Sequence, residues 1–377
     1  MKVNQPLPLL GGISPSEFMR RFWQRKPLLI RQAIPGFCAL LDRKALFALA
    51  QQPDVESRLV IGENAGQRQW QMQRGPFKRR DLPAFTERDW TLLVQGVDLH
   101  DDRVAELMQQ FRFIPDARLD DVMISYATDG GGVGPHFDSY DVFLLQAHGQ
   151  RRWRIGRQKN RQLKPNLPLK ILAHFEPEFD WVLQPGDMLY LPPGYAHEGV
   201  AVGECMTYSV GFRVPQKGDL AREVLARLSD DAVQSVGDAL YQDAGQSPAT
   251  QPAAIPDAML AFAQQALERA LSDPKATARA LGEYLTEPKA QVWFETQTRP
   301  KRLRGVVLDR RSRMMYDRHH VFCNGESWRA AGADARVMRR LADQRKLSAA
   351  DLAQASDDVL NLLKQWCEDG WCHPAAR

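Results

Sequence analysis

Short apolar runs separated by glycine and proline dominate the middle of the chain, from Val122 to Val214. The runs predict strands at 122–127, 142–147, 151–155, 181–183, 188–191 and 207–212. Many short strands interrupted by turn residues are typical of a β-sandwich or barrel. We therefore expect a double-stranded β-helix of jelly-roll type here, within a chain of the α+β class.

The segment before this region mixes helices with strands. Ser14, Pro15 and Glu17 form a capping box with proline at the first helical position, which predicts a helix that leads into a strand at 28–30. Further helices are predicted at 42–52 and 101–111, and strands at 58–61, 69–73 and 91–97. We expect these elements to brace the barrel and assign them no chemistry.

After Pro215 the pattern becomes helical. Helices are predicted at 219–228, 231–241, 257–271 and 275–285. The helix at 257–271 carries an apolar stripe, formed by Leu260, Phe262, Ala266, Leu267 and Leu271. Such a stripe is either ordinary core or an interface between two copies of the chain, and both interpretations stay open.

The last segment begins with a basic run at 299–304. Strands at 306–308 and 320–323 are predicted to pair around 310–317, and helices follow at 334–344, 349–354 and 357–369, which together favour a winged-helix-like module. Such modules often bind DNA, but we prefer a solvated basic face used for protein contact. His319, His320 and Cys323 lack a fourth ligand at zinc spacing, so we treat them as structural. The predicted domains are 1–215, with a core at about 95–215, then 216–298 and 299–377.

Composition excludes several classes of protein. The 377 residues allow two or three domains, and a net charge of +4 with 25% charged residues does not by itself require a nucleic-acid partner. No apolar window of about eighteen residues and no signal-peptide pattern is present, so we expect a soluble cytoplasmic protein without membrane contact. The five cysteines are irregularly spaced and suggest neither a disulfide framework nor a zinc ribbon.

The candidate chemistry lies in three residues. His136 and Asp138 are two apart, so on a strand both side chains point to the same face, and His197 follows about sixty residues later, just beyond the predicted strand at 188–191. Two histidines and one carboxylate form the facial triad of non-haem Fe(II) oxygenases, which leaves positions open on the metal. A single histidine is more often a core or surface residue than a ligand, so the prediction depends on the combination.

Longer motifs carry a resemblance to a known family. Gly186, Pro192, Gly194 and His197 match the second sequence signature of the cupin barrel at every fixed position, whereas the first signature here has His-x-Asp instead of two histidines and a glutamate. Together with FWQRKPLLI, GGGVGPHFDSYDVF, RRWR and YSVGFR, the chain resembles the JmjC-type bacterial ribosomal oxygenases over nearly its whole length.

The resemblance implies both a reaction and an assembly. The reaction is hydroxylation at C3 of an arginine in the sixteenth protein of the large ribosomal subunit. It uses Fe(II), 2-oxoglutarate and O2, and the iron is held by His136, Asp138 and His197. The assembly is a homodimer formed through a helical dimerisation domain, followed by the winged helix. The implied partner is a ribosomal protein, and nucleic acid is not required.

The same resemblance implies a basic residue that binds the remote carboxylate of 2-oxoglutarate, and Arg151 has the expected spacing. Strand alternation places Arg151 on one face with Trp153 and Ile155, which is the apolar and hence inward face. Arginine can donate two parallel hydrogen bonds to a carboxylate. Ser125 is predicted to add a hydroxyl group to the same carboxylate, and Ser209 is a further candidate for this role.

Acidic and aromatic residues around the barrel mouth are hypothetical contacts for a basic substrate side chain. They are Asp120, Asp121, Asp129 and Asp141, with Tyr140 or Tyr126 for stacking. Two other functions remain open: a JmjC-type oxygenase that acts on another protein residue or a small molecule, and a non-enzymatic DNA-binding regulator whose cupin senses a ligand.

Overall fold

The computed structural model describes residues 2–63, 69–230 and 232–375. These form two compact units, Met1–Val214 and Pro215–Arg377. The predicted further division of the second unit, between 298 and 299, stays a prediction. None of the helices within the described ranges has the length and apolar character needed to cross a membrane.

The first unit is built on one large antiparallel sheet. Its helices are α1 (Pro15–Arg21), α2 (Arg43–Leu49) and α3 (Asp102–Gln109). Its strands are β1 (Leu28–Ile30), β2 (Ser57–Ile61), β3 (Gln71–Arg74), β4 (Trp90–Val94), β5 (Leu119–Ala127), β6 (His136–Phe137), β7 (Val142–Gly156), β8 (Phe179–Leu183), β9 (Met188–Leu191) and β10 (Ala196–Phe212). Short 3-10 helices lie at Pro8–Leu10, Arg79–Asp81 and Val97–Leu99.

Local sequence explains where the helices begin. The Ser14 side chain accepts a hydrogen bond from the Glu17 backbone N–H, with Pro15 at the first helical position. Asp42 and Asp101 cap α2 and α3 in the same way. Phe18 on α1 is completely buried against the rings of Phe143 and Tyr190, so α1 closes one side of the barrel core.

The sheet order is β1-β9-β7-β10-β5-β4-β2-β3, with β6 paired to β10 and β8 to β7. Strands β7 and β10 run antiparallel along their whole length, and their register shifts between Val202 and Thr207. This long bent pair, flanked by short strands, forms the double-stranded β-helix of the cupin type that the sequence predicts. Along β7, Arg151, Trp153 and Ile155 are buried and Arg152 is exposed, as the alternation requires.

The second unit combines helices with two small sheets. Its helices are α4 (Lys217–Asp230), α5 (Ala232–Val236), α6 (Asp257–Leu271), α7 (Pro274–Thr286), α8 (Gly332–Gln344), α9 (Ala349–Leu352) and α10 (Asp357–Glu368). Its strands are β11 (Val306–Leu308), β12 (Met314–Tyr316), β13 (His320–Cys323), β14 (Glu326–Arg329), β15 (Lys346–Leu347) and β16 (Cys372–Pro374). Its core contains Val306, Leu341, Leu363 and Trp366.

Two details of the prediction for this unit are wrong. β11 does not pair with β13: it lies between β15 and β16, while β13 lies between β12 and β14. The segment 310–317, around which the two strands were expected to pair, itself contains β12. Runs of three or four apolar residues indicate strands but do not identify their partners. The predicted helix at 231–241 is shorter, since α5 ends at Val236; Asp231 lies outside the described residues.

Candidate metal centre and its cavity

Two chain segments bring His136, Asp138 and His197 together. β6 pairs with the start of β10 so that His136 lies opposite His197. The Gly194 N–H donates to the Asp138 carbonyl oxygen at 3.1 Å, which ties the segment after β6 to the turn before His197. Gly194 has φ +78°, a conformation that glycine adopts without strain. The turn that contains proline and glycine thus places His197 at the start of β10, opposite His136 on β6.

The three side chains converge on one point. Ligand atoms of His136, Asp138 and His197 lie within 4.8 Å of one another. Nε2 of His136 is 3.9 Å from one Asp138 carboxylate oxygen, and Nε2 of His197 is 3.5 Å from the other. Among the described residues, these three are the histidine, cysteine or acidic side chains that lie close enough together to hold a metal ion.

Hydrogen bonds fix which ring nitrogens can bind a metal. Nδ1 of His136 lies 2.9 Å from the Gly134 carbonyl oxygen, and Nδ1 of His197 lies 3.1 Å from that of Tyr195. Because a carbonyl oxygen only accepts, Nδ1 carries the proton, and the lone pair of Nε2 is left available for a metal ion that Asp138 can bind as well. Burial, together with the neighbouring His136, lowers the pKa of His197 to about 4, so this imidazole is neutral at neutral pH. Two neutral imidazoles and one carboxylate fit Fe(II).

Arg151 lies in the same cavity and is only 3% exposed. One terminal nitrogen donates to the Ser125 hydroxyl at 3.0 Å and the other to the Gly199 carbonyl oxygen at 3.2 Å. Nε has no hydrogen-bond partner among the described residues, and no carboxylate there pairs with the guanidinium. Burial lowers the pKa of Arg151. A buried cation without a counterion is costly, so the site is suited to an anionic ligand.

The cavity itself has a volume of about 320 Å³. Besides the metal-binding cluster and Arg151, its wall includes Ser125, Trp153, Thr207 and Ser209. The indole N–H of Trp153 is buried and has no partner in the part of the chain that the structure describes. The Arg151 guanidinium carbon lies 5.2 Å from the centre of a Trp153 ring. The cavity therefore contains donors and a cation for a small acid beside the candidate metal ligands.

The predicted acidic residues fall into two groups. Asp120 and Asp121 line the cavity, together with Tyr140. Asp129 does not line it: its carboxylate accepts from the Gly203 N–H at 2.9 Å and pairs with Arg88.

Asp141 is also turned away from the cavity and is completely buried. It accepts from the Tyr190 hydroxyl at 2.6 Å and pairs with Arg118 at 3.2 Å. Tyr126 packs against Phe47 and Trp90 in the core. None of Asp129, Asp141 and Tyr126 lines the cavity, and each has other partners, so the structure gives no support to their predicted contact with substrate.

Some residues that shape the cavity were not predicted from the sequence, and three of them bear on the site. Arg58 on β2 and Gln95 after β4 line it, although the elements before the barrel were assigned no chemistry. Gln95 donates to Asp121 at 2.8 Å. Gly199 is the third, since a Cβ there would lie 2.7 Å from the Trp153 ring and 2.8 Å from Nε of Arg151. A glycine inside a strand is a sign of such close approach.

Family models match both units. A JmjC domain model matches residues 106–220, and a ROXA-like winged-helix model matches residues 269–373. The second match agrees with the predicted winged-helix-like module and also includes α7.

Related proteins span most of the chain. A ribosomal protein uL16 3-hydroxylase of Escherichia coli is 37% identical over 73% of this chain and 72% of its own length. A probable ribosomal oxygenase of Haemophilus influenzae is 29% identical over 95% and 96% of the two chains. The solved structure of YcfD, a ribosomal oxygenase from E. coli in complex with cobalt and 2-oxoglutarate, superposes with a TM-score of 0.79 at 30% identity, over 95% of this chain and 97% of that one.

Proposed function

This chain belongs to the JmjC-type ribosomal oxygenases, and we propose that it hydroxylates ribosomal protein uL16 at C3 of an arginine, with Fe(II), 2-oxoglutarate and O2. The observation that carries the proposal is the cavity in which the His136, Asp138 and His197 cluster lies beside the buried, uncompensated guanidinium of Arg151. A ribosomal-protein substrate is consistent with the expected cytoplasmic location of this chain.

We assign the metal to the two Nε2 atoms and the Asp138 carboxylate. Held there, Fe(II) would supply the activation of O2, one atom of which would enter succinate as 2-oxoglutarate loses CO2 and the other the new hydroxyl group. The histidines remain oriented throughout because their Nδ1–H groups are held by the carbonyls of Gly134 and Tyr195. The residues before each histidine thus act as positioning groups.

We assign the remote carboxylate of 2-oxoglutarate to Arg151. Its guanidinium is anchored by the Ser125 hydroxyl and the Gly199 carbonyl, which leaves Nε without a partner in the described chain. Ser125 accepts from Arg151 and donates weakly to the Thr207 carbonyl at 3.4 Å, so its first role is to fix the guanidinium. Trp153, whose ring lies 5.2 Å from the Arg151 guanidinium carbon, and Leu144 are apolar residues of the cavity wall that would exclude water from the bound acid.

We assign the substrate side chain to the part of the cavity that contains Asp121 and Tyr140. Asp121 is 3% exposed and accepts from Gln95 at 2.8 Å and from the Gly96 N–H at 3.1 Å, so its position is fixed before substrate arrives. A guanidinium would gain a charge-assisted hydrogen bond from this carboxylate and a ring contact from Tyr140. Asp121→Asn is expected to raise KM for the protein substrate without changing iron content.

The test is a mass measurement on purified protein. We expect recombinant uL16, incubated with the Fe(II)-loaded protein and 2-oxoglutarate, to gain the mass of one oxygen atom on a single arginine, with succinate formed in equal amount. Asp138→Ala is the matched inactive control, because it removes the one carboxylate of the metal cluster. Succinate release without any modified ribosomal protein would favour another substrate, and no 2-oxoglutarate consumption at all would refute the oxygenase.

We also propose that the chain is a homodimer formed through the helical segment 216–298. The support is that Leu260, Leu267 and Leu271 on α6 are each at least half exposed, at 53%, 64% and 50%. Apolar side chains in a row on one helix are stabilised by covering them. Leu267→Glu with Leu271→Glu is expected to convert the dimer to a monomer in sedimentation velocity, and an unchanged sedimentation coefficient would refute this interface.

A further inference from the structure

A basic groove crosses the second unit, away from the oxygenase cavity in sequence. It consists of two adjoining depressions of about 590 and 390 Å³ that share Lys275, His320 and Arg329. Its cationic side chains are Lys275, Arg279, Arg318, Arg329, Arg336 and Arg339. Asp273 is the carboxylate on its wall, and that side chain caps α7 by accepting from the Lys275 N–H.

The fold gathers these residues from four separate elements. Strand pairing places Arg329 opposite His320, and Arg318 and His319 lie in the turn just before β13. α7, which starts at Pro274, packs against β13 and β14, while α8 packs against β12 and β13. Arg339 on α8 donates to the carbonyls of Asp317 and Arg318, which holds this turn in place.

Among the described residues, three arginines of the groove lack the carboxylate partners that other arginines of this unit have. Arg222, Arg227, Arg299, Arg311 and Arg340 each pair with a carboxylate. Arg318, Arg329 and Arg336 are exposed and, among the residues described, form no ion pair. Asp317, in the same turn, is already occupied by the N–H groups of His319 and His320. The groove therefore presents a net positive field to solvent.

The start of α8 adds to that field. The helix has 13 residues, and Ala331 at its N-cap has no side chain that could accept from the first-turn N–H groups. Ala330, Ala331 and Gly332 line the groove, so these donors and the positive end of the helix dipole lie beside the arginines. Planar guanidinium groups with several donors match phosphate oxygens.

We propose that this groove binds the phosphate backbone of RNA. The choice of RNA rests on the proposed function, because a ribosomal protein substrate is surrounded by ribosomal RNA. The substrate itself is a poor occupant, since RNA-binding proteins carry basic surfaces that the groove would repel. Exposed point charges spread over an open groove suit a backbone whose charges repeat along its length.

The location differs from that of an ordinary winged-helix contact. In a helix-turn-helix the second helix enters the DNA major groove. Here that helix is α10, which begins with Asp357 and Asp358 and ends with Glu368, against one lysine, Lys364. Acidic residues at this position oppose binding of a duplex by α10. The basic groove is instead formed by α7, α8 and the β12-β13-β14 sheet.

The test measures RNA binding by the Fe(II)-loaded full-length protein. The probe is a fluorescein-labelled RNA hairpin of mixed sequence, followed by anisotropy as KCl is varied. We expect a dissociation constant of about 10 µM near 0.1 M salt, within the range of sequence-independent binding. Replacing Arg318, Arg329 and Arg336 with alanine should weaken binding at least about tenfold and reduce the salt slope by about two, since each lost phosphate contact contributes roughly 0.7.

Two further variants serve as controls. Arg20, Arg25 and Arg80 are exposed arginines of the first unit, and their triple alanine variant removes the same charge elsewhere. It should bind RNA like the unmodified protein. Replacing the three groove arginines with lysine should restore most of the binding, which a loss of folding in the alanine variant would not predict. Equal loss in both alanine variants would overturn the proposal.

Competitors identify the occupant. Displacement of the hairpin by polyglutamate of equal charge would assign the groove to an acidic protein and overturn the RNA proposal, as would tighter binding of a DNA duplex. Hydroxylation of isolated uL16, measured on the same preparations, keeps the two proposals apart. If RNA binding is absent while hydroxylation is normal, only the proposal that the groove binds RNA is refuted. If RNA binds but uL16 is not hydroxylated, only the proposed substrate is refuted.

Discussion

Arg151 and Asp141 are both buried in the barrel, but their charges are compensated differently. Asp141 accepts from Tyr190 and Gln24 and pairs with Arg118, whose side chain reaches solvent at 22% exposure. Among the described residues, the hydrogen-bond partners of Arg151 are the neutral oxygens of Ser125 and Gly199. A carboxylate that the chain itself satisfies supports the fold, whereas a cation that the chain leaves uncompensated indicates a ligand.

The strongest test of this contrast removes the cation. Arg151→Met should raise KM for 2-oxoglutarate by at least about a hundredfold, because two charge-assisted hydrogen bonds are lost at roughly 1.5 kcal/mol or more each. The melting temperature should stay the same or rise, since an uncompensated buried charge is removed. Both are measured by succinate formation and by thermal unfolding.

The matched control for this variant is Arg152→Met on the same strand. Arg152 is exposed and paired with Asp180, so its loss should leave KM unchanged. If Arg151→Met melts well below the unmodified protein while KM is normal, Arg151 is a structural residue and the contrast with Asp141 is lost.

Removal of the compensated anion should have the opposite profile. Asp141→Ala leaves Arg118, Gln24 and the buried Tyr190 hydroxyl without their acceptor, and breaking a buried pair from one side costs about 3 kcal/mol. Turnover per folded molecule should change little, because Asp141 does not line the cavity. Chemical unfolding of the barrel and turnover at saturating substrate measure the two effects.

Asp180→Ala breaks an exposed pair and should change stability by less than about 1 kcal/mol. Asp141→Asn retains an acceptor for Tyr190 and should cost less than the alanine variant. Equal stability of Asp141→Ala and Asp180→Ala would contradict a structural role for Asp141.

This contrast also shows how far sequence reasoning reaches. The spacing of His136 and Asp138 predicted their convergence, although β6 ends at Phe137 and Asp138 lies just beyond it. Alternation placed Arg151 and Trp153 inward, because that follows from the two-residue period of a strand. The direction of Asp141 could not be predicted. It follows the metal segment closely in sequence, yet its side chain is buried against Tyr190 on β9, a strand that lies beside β7 but 49 residues further along the chain.

The order of the strands in the sheet was the second feature that could not be predicted from the sequence. Arg58 and Gln95 reach the cavity because β2 and β4 extend the sheet beyond β5. No local sequence pattern predicts this strand order. The wrong pairing of β11 with β13 has the same cause. Short apolar runs specify that a strand exists, while its neighbours are chosen by tertiary packing.

A substitution at Gly199 would crowd the Arg151 guanidinium without removing it. A methyl group on Gly199 would lie 2.8 Å from Nε of Arg151 and 2.7 Å from the Trp153 ring, so Gly199→Ala must displace at least one of them. We expect KM for 2-oxoglutarate to rise about tenfold with unchanged iron content, because a small displacement of a positioned group weakens binding without removing it. Val200→Ala, on the same strand, is the control and should leave KM unchanged. Loss of iron from Gly199→Ala would place its effect on His197 instead.

Another buried carboxylate, Asp309 in the second unit, sharpens the comparison because its pKa moves in the opposite direction to that of Asp141. Burial raises the pKa of Asp141, and its hydrogen bonds do not reverse the shift. Burial also acts to raise the pKa of Asp309, but hydrogen bonds from Arg311 and His373 outweigh it and lower the pKa to about 2.

Stabilisation by the Asp309 carboxylate is therefore complete above its unfolded pKa of about 4 and is lost as the pH falls towards 2. At pH 3 the loss amounts to about 1 kcal/mol. Calorimetry of the unmodified protein and Asp309→Asn at pH 5 and pH 3 should show their stability difference narrowing by that amount, since the asparagine cannot titrate. A difference that stays constant or widens would mean that Arg311 and His373 do not favour the charged form, and that burial governs Asp309 as it governs Asp141.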